Sequence, residues 1–291
     1  MRILEILTKR INKTFIHNQR YKIGELKIII PSSMNLPRFQ KKYPLYDKFL
    51  PVLASHLPSG TVIDVGANVG DTLAAMAQKC SNSFICIEPL NKFFNYLEKN
   101  ATEIQLKYKR PIKLIKELIG SGNLSGELID DGSTANIIIN DNNLIASSHV
   151  RLDILVKEES EIIFIKSDVD GYDFDVIRSS EKILKKSKPI LFWENEISND
   201  MQYEEFNSLY EFLEELGYLN LYFFDNFGNL LAEKSDYKTL KNINTYLYSM
   251  KKYNTTRTFY YTDILASTDE RRITVENAVA DFKNNYIRSN K

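Results

Sequence analysis

The chain is poor in the features that would tie it to export, to a metal cluster or to a membrane. It has two cysteines in 291 residues, Cys80 and Cys86. They are too few and too isolated for a disulfide framework or a thiolate zinc site, so a reducing compartment or redox irrelevance is expected. No apolar run approaches the roughly 18 residues of a membrane span, and the longest candidates are short stretches such as EIIFI and PILFW. Neither charge sign is in excess, with 38 Lys+Arg against 38 Asp+Glu. That balance removes the positive field that draws a protein to nucleic acid and the acidic surplus of a solvating tail. The opening MRILEILTKRINKTF alternates apolar and basic residues, with no uninterrupted apolar core and no small-residue cleavage site. It reads as an amphipathic helix rather than a signal peptide, with contact to a membrane surface as the alternative. A cytoplasmic protein is expected.

What the chain does have is apolar residues, 43% of the total, ample for one large core or one domain with extensions. Residues 1–58 carry Pro31, Pro37, Pro44, Pro51 and Pro58, spaced so that long regular elements are not expected beyond the first turns and the helical stretch YDKFLPVLASHL. This segment reads as a lead-in packing on a main domain over 59–267, which is followed by a C-terminal helix over 268–291. From Thr61 short apolar runs alternate with amphipathic stretches, the pattern of a parallel sheet with helices on its faces. TVIDV, FICIE, IKLIKELIG, EIIFIKS and KPILFWE are the predicted strands, and DTLAAMAQK, LNKFFNYLEKNATE, FDVIRSSEKILKKS and MQYEEFNSLYEFLEEL the predicted helices. Residues 121–148 hold at least one irregular hairpin or loop around GELID and NIIIN. YLNLYFFD and TFYYTDILA, joined across a helix near YKTLKNINTYLYSMK, suggest a closing antiparallel pair at a sheet edge.

IDVGANVGD places Gly66 and Gly70 between the first strand and the first helix. Glycines there allow a sharp turn and a close approach to main-chain N–H groups at a helix start. The motif is neither the dinucleotide fingerprint, since Asn68 takes the place of its middle glycine, nor a P-loop, since no G-K-[ST] follows. Asp64 precedes the turn and Glu88 ends the second strand, where an acid can accept hydrogen bonds from both ribose hydroxyls of an adenosine. The plainer alternatives are a loop-bonded Asp64 and a solvated strand-end Glu88.

VIDVGANVGDT, CIEP, and IKSDVDGYDFDVI followed by KPILFWE, in this order between about Leu45 and Leu265, together resemble the FkbM family of S-adenosylmethionine-dependent methyltransferases. The resemblance implies an α/β fold of the class I methyltransferase, Rossmann-like kind: a seven-stranded, mainly parallel sheet with helices on both faces, here with an N-terminal extension. It implies S-adenosylmethionine over the first glycine turn, on Asp64, Gly66, Asn68, Gly70, Asp71, Glu88 and Pro89, and methylation of a hydroxyl on a glycan or similar small-molecule acceptor. The central motif departs from the family's K-I-D-V-E-G-Y-E at Ser167, Asp170 and Asp173, keeping the acids but shortening two of them by a methylene.

A sulfonium methyl is already activated, so the protein has chiefly to align donor and acceptor and help a hydroxyl lose its proton. Asp168, at the carboxyl end of its strand, is the first candidate acid, with Asp170 just beyond it and Glu194 ending the next strand. An EF-hand is excluded by the spacing of the acids. A divalent ion held by acids from different strands suits their hard oxygens, though no spacing demands one. Asp173 and Asp175 read instead as the N-cap and first turn of a helix. His17, His56 and His149 read as ordinary surface or packing residues, with His56 and His149 in loops as alternative bases. Trp193 and Tyr222, Phe223, Phe224 read as core, with sugar stacking as the alternative. A nicotinamide oxidoreductase and a non-catalytic nucleotide-binding module share the same βαβ logic and stay open at this level.

Overall fold

The computed structural model describes residues 18–122, 126–130, 135–139, 149–159 and 161–287, so the expected opening helix lies outside them. The described chain begins with an antiparallel hairpin, β1 (Asn18–Ile23) and β2 (Leu26–Pro31), then α1 (Leu36–Lys42) and α2 (Phe49–His56). The hairpin corrects the expectation that prolines keep this segment irregular: Pro31 is the last residue of β2 and Pro37 lies in the first turn of α1, positions where a missing N–H costs little. Asn100 fastens the hairpin to the body, its carboxamide oxygen accepting from Ile29 N at 2.7 Å and its nitrogen donating to Ile29 O at 2.9 Å.

The main sheet then runs through β3 (Thr61–Val65), α3 (Asp71–Ala77), β4 (Ser83–Ile87), α4 (Asn91–Tyr108) and β5 (Ile112–Ile115). A separate antiparallel hairpin follows, β6 (Gly126–Asp130) with β7 (Ala135–Ile139), where GELID and NIIIN suggested one. After the short α5 (Leu152–Leu155) come β8 (Ile162–Ser167), α6 (Asp173–Arg178), α7 (Glu181–Ser187), β9 (Ile190–Asn195) and α8 (Asp200–Glu215). The chain ends in β10 (Asn220–Asp225), β11 (Leu230–Ser235), α9 (Tyr237–Lys252), β12 (Thr262–Ser267) and α10 (Arg272–Phe282).

The strand order is β11-β10-β12-β9-β8-β3-β4-β5. From β5 to β9 the pairs are parallel, and β12 runs antiparallel to both β9 and β10. The sheet therefore has eight strands rather than the expected seven, because LLAEKS pairs with β10 as an additional antiparallel strand. β10 and β12 do form an antiparallel pair, but β11 forms the edge. Lys234 at φ 50 and two register shifts against β10 distort that edge, which discourages pairing with a further strand.

Two further boundaries differ. IKLIKELIG pairs as a strand only over Ile112–Ile115, with Ile119 in an isolated bridge to Val150. The single helix expected over FDVIRSSEKILKKS is two, α6 and α7. Ser179 Oγ and Ser180 Oγ donate to Val176 O and Ile177 O, each at 2.6 Å, so side chains take carbonyls that a continuous helix would use.

β3 and β8 are buried at every position, as strands covered on both faces must be. One apolar layer includes Phe49, Leu73, Phe164, Ile190 and Phe282, and the opposite one Ile165, Trp193, Phe206, Tyr210 and Ile264.

Candidate active site

In an open α/β sheet, ligands bind beyond the carboxyl ends of the parallel strands. Strand alternation decides which side chains reach that edge. Phe192 packs with Phe49 and Phe224, the three ring centroids lying 4.6 to 6.1 Å apart. Glu194, two residues beyond Phe192, emerges on the same face. It lies in register with Asp263 of β12, which in turn lies in register with Phe224 of β10. Two carboxylates thus stand side by side on an aromatic bed.

A cleft of about 740 Å³ opens here. Of the expected residues, Gly66, Asn68, Asp71, Asp168, Asp170 and Glu194 line it, while Asp64, Gly70, Glu88 and Pro89 do not. The far wall was not anticipated: Tyr43 and Tyr46 come from the lead-in, Asn226 and Phe227 from the β10–β11 turn, and Tyr261 and Asp263 from β12 and its approach. Of these only Asp263 could have been noticed, as an acid inside the predicted strand TFYYTDILA, but no motif marks it.

At the β3–β8 end, Lys166 Nζ lies 3.1 Å from Asp64 Oδ1 and 3.2 Å from Asp168 Oδ2. Burial works against its charge, but the carboxylates of Asp168 and Asp64 outweigh it and hold the ammonium well above the ordinary lysine range. The Asp64 side chain is buried and that of Asp168 is 50% exposed, so Asp168 is the member of this triad that meets solvent in the cleft. At the β9–β12 end, Glu194 Oε2 is buried without a hydrogen bond among the described residues. Burial, then the charges of Asp168, Asp173, Asp170 and Asp263, push Glu194 well above the usual carboxylate range. Asp263 is raised likewise, by burial and then by Asp168 and Asp47.

Glu88 is an anchor for the glycine turn. Its carboxylate accepts from Asn68 N at 3.0 Å and Leu90 N at 2.9 Å, and burial pushes it up to about 7 against the pull of both amides. Gly66, at φ 76, is required by contact with the neighbouring turn, since a Cβ there would lie 1.9 Å from the Asp168 carbonyl oxygen. At Gly70, φ 82, a Cβ would meet Leu97 at 2.8 Å. The glycines therefore hold the turns after β3 and β8 together and seat α3 on α4.

The other two acids of the central motif face away from the cleft. Asp173, the first residue of α6, is fully buried and pushed up to about 8, chiefly by burial. Asp175 accepts from the Ser121 amide at 3.0 Å and from the Ser121 hydroxyl, tethering the segment after β5. His56 is the last residue of α2 rather than a loop residue, with Nε2 2.8 Å from Asp281. His149 packs by Gly120, and neither histidine lines the cleft. Trp193 is buried in the core, whereas Phe224 both packs in the core and lines the cleft. His17 lies outside the described residues. Among the described residues no group of three or more His, Cys, Asp or Glu could hold a metal ion.

The strand order and a ligand edge at the first βα turn are those of a class I methyltransferase. The donor set fits S-adenosylmethionine: a wall of carboxylates including Asp71, Asp168 and Glu194 suits a sulfonium and an ammonium. The family described as Methyltransferase FkbM domain matches residues 64–219, more than half of the chain. The chain belongs to this family and is an S-adenosylmethionine-dependent methyltransferase, which removes the nicotinamide and non-catalytic alternatives. No curated protein matches it.

Among solved structures, the chain resembles an O-methyltransferase from Bacillus cereus in complex with S-adenosylhomocysteine, at 13% identity over 91% of this chain and 97% of that one, TM-score 0.45. It also resembles an rRNA methylase from Streptococcus thermophilus, at 13% identity over 76% and 94%, TM-score 0.40. A third likeness is to a ribosomal protein L11 methylase from Lactobacillus delbrueckii subsp. bulgaricus, at 12% identity over 75% and 76%, TM-score 0.38. None of the three bears on the acceptor of this chain.

Proposed function

We propose that the chain transfers a methyl group to a hydroxyl of a sugar or similar small acceptor, with Glu194 as the general base. The observation that carries this reading is the buried Glu194 carboxylate, one oxygen without a partner among the described residues, facing the cleft beside Asp263. An ordinary carboxylate is too weak a base for an alcohol, and a raised one works best near neutral pH. When bound, S-adenosylmethionine supplies an activated methyl group; Gly66, Asn68, Asp71 and Glu88 are the residues assigned to hold it. Asp168, kept in place by Lys166, orients the acceptor from the other side, and Asp170 stands at the same turn. Tyr43, stacked on Phe227 at 4.0 Å, together with Tyr46 offers flat apolar faces of the kind on which sugar rings stack.

The test is transfer of labelled methyl from S-adenosylmethionine to a panel of methyl glycosides, a peptide mixture and an RNA mixture. Base-stable label in the glycosides, lost in Glu194→Gln while S-adenosylhomocysteine still binds, is the expected result. Label confined to peptide or RNA, or full turnover by E194Q, overturns it.

A further inference from the structure

The cleft is zoned by charge. Its floor is acidic, at the strand ends, but its rim carries Arg38, Lys42 and Arg257, with Asp47 the one acid on the lead-in that lines it. None of the three is ion-paired among the described residues, whereas the cleft's other cation, Lys166, is held between two carboxylates. Arg38 and Lys42 are four apart on α1 and so share one helix face. Arg257 reaches the same rim from the opposite side through a continuous set of contacts. Lys42 lies 4.9 Å over Tyr43, Tyr43 stacks on Phe227, the adjoining Asn226 accepts from Tyr260 N at 2.9 Å, and Arg257 lies 4.9 Å over Tyr260. The turn carrying Asn226 and Phe227 is itself fixed: Asp225 accepts from Phe227 N and Asn229 N at 2.9 and 2.8 Å, and a Cβ on Gly228 would lie 2.2 Å from Leu45 O. The aromatic rings thus hold Lys42 and Arg257 around one opening, with Arg38 one helical turn before Lys42.

We infer that the acceptor is anionic, a sugar-like molecule whose carboxylate, sulfate or phosphate is held at the rim by Arg38, Lys42 and Arg257 while its reacting hydroxyl points down to Glu194. This deepens the hydroxyl-methylation reading and rests on it for the identity of the reacting group. Guanidinium and ammonium groups recognise all three anions by charge-assisted hydrogen bonds. The acidic floor opposes an anion placed deeper, so the two zones together set the acceptor's polarity and its orientation in the cleft.

The experiment compares methyl glucoside with its uronate, 6-sulfate and 6-phosphate, both as ligands of the S-adenosylhomocysteine-loaded protein by calorimetry and as acceptors of labelled methyl. The anionic probes should bind at least about tenfold more tightly than the neutral one, roughly 1.4 kcal/mol, and less tightly as salt rises. The triple variant R38Q/K42Q/R257Q should lose that preference while still binding S-adenosylhomocysteine. Preference among the three anions identifies the group. Equal binding of neutral and anionic probes, or a preference that survives the triple variant, overturns the inference. If the anions bind through the rim but no hydroxyl is methylated, the rim assignment stands and the hydroxyl reading falls. If neutral glucoside is methylated and no anion is preferred, the reverse holds.

Discussion

At the β3–β8 end of the cleft Lys166 sits between Asp64 and Asp168, whereas at the β9–β12 end Glu194 and Asp263 face one another with no ion pair among the described residues. Both ends bring carboxylates together above an apolar layer, where charge is expensive. The first end compensates with a cation that holds both carboxylates in place, although burial still raises Asp64 against the pull of Lys166. At the second, burial and neighbouring acids raise both carboxylates well above the usual range and favour their protonated forms. One edge of one sheet thus supports an ion-paired frame and, two strands away, a pair of buried acids without an ion pair among the described residues.

The sharpest way to break this contrast is Lys166→Met. It strands Asp64 without a counter-charge and should cost about 3–5 kcal/mol, read as a lowered urea midpoint. The double variant D64N/K166M should regain part of that loss. If K166M were as stable as the parent, the frame would not depend on the ion pair. At the other end Glu194→Gln should leave stability equal or slightly higher, because a crowded acid is gone, while turnover falls roughly 10²–10⁴-fold; a parallel loss of stability would make Glu194 structural.

Stability should also decline with pH, and the sign follows from the buried acids. Burial raises Glu88 to about 7 and Asp173 to about 8, above their unfolded values near 4. The folded state therefore binds more protons, and their contribution, complete at low pH, is lost as pH rises through these values. Thermal midpoints should fall between about pH 4 and 8, and Asp173→Asn should flatten the upper part of that slope without altering the midpoint at low pH. A midpoint that rises with pH over this window would contradict the protonated state of these acids. The smallest effect is expected from Glu88→Ala, which should weaken S-adenosylhomocysteine about tenfold by freeing the glycine turn, since two hydrogen bonds to a carboxylate are lost. Unchanged affinity would remove Glu88 from the cofactor site.

Much of the frame was readable because β3, β4, β8 and β9 are covered on both faces, which leaves continuous apolar runs ended by Asp64, Glu88, Asp168 and Glu194. β11 escaped notice because an edge strand needs no such run, and LLAEKS carries as many polar as apolar positions. The split between α6 and α7 escaped because Ser179 and Ser180 preserve helical periodicity while their hydroxyls compete for the carbonyls.

The four acids of IKSDVDGYDFDVI divide in the same way. That Asp168 ends a strand and Asp175 begins a helix follows from local pattern. That Lys166 clamps Asp168, that Asp173 is sealed from solvent and that Asp175 tethers Ser121 follows only from what packs above them. Residue order alone carried the family, the parallel core and the strand ends at which the cleft opens, because repeated βα units and strand-end motifs are local signals. Tertiary structure decided which acids are neighbours, since only antiparallel insertion of β12 beside β9 sets Asp263 opposite Glu194. It also decided the far wall of the cleft, because Arg38 with Tyr43, Phe227, and Arg257 come from three separate stretches of the chain and meet only around that cleft.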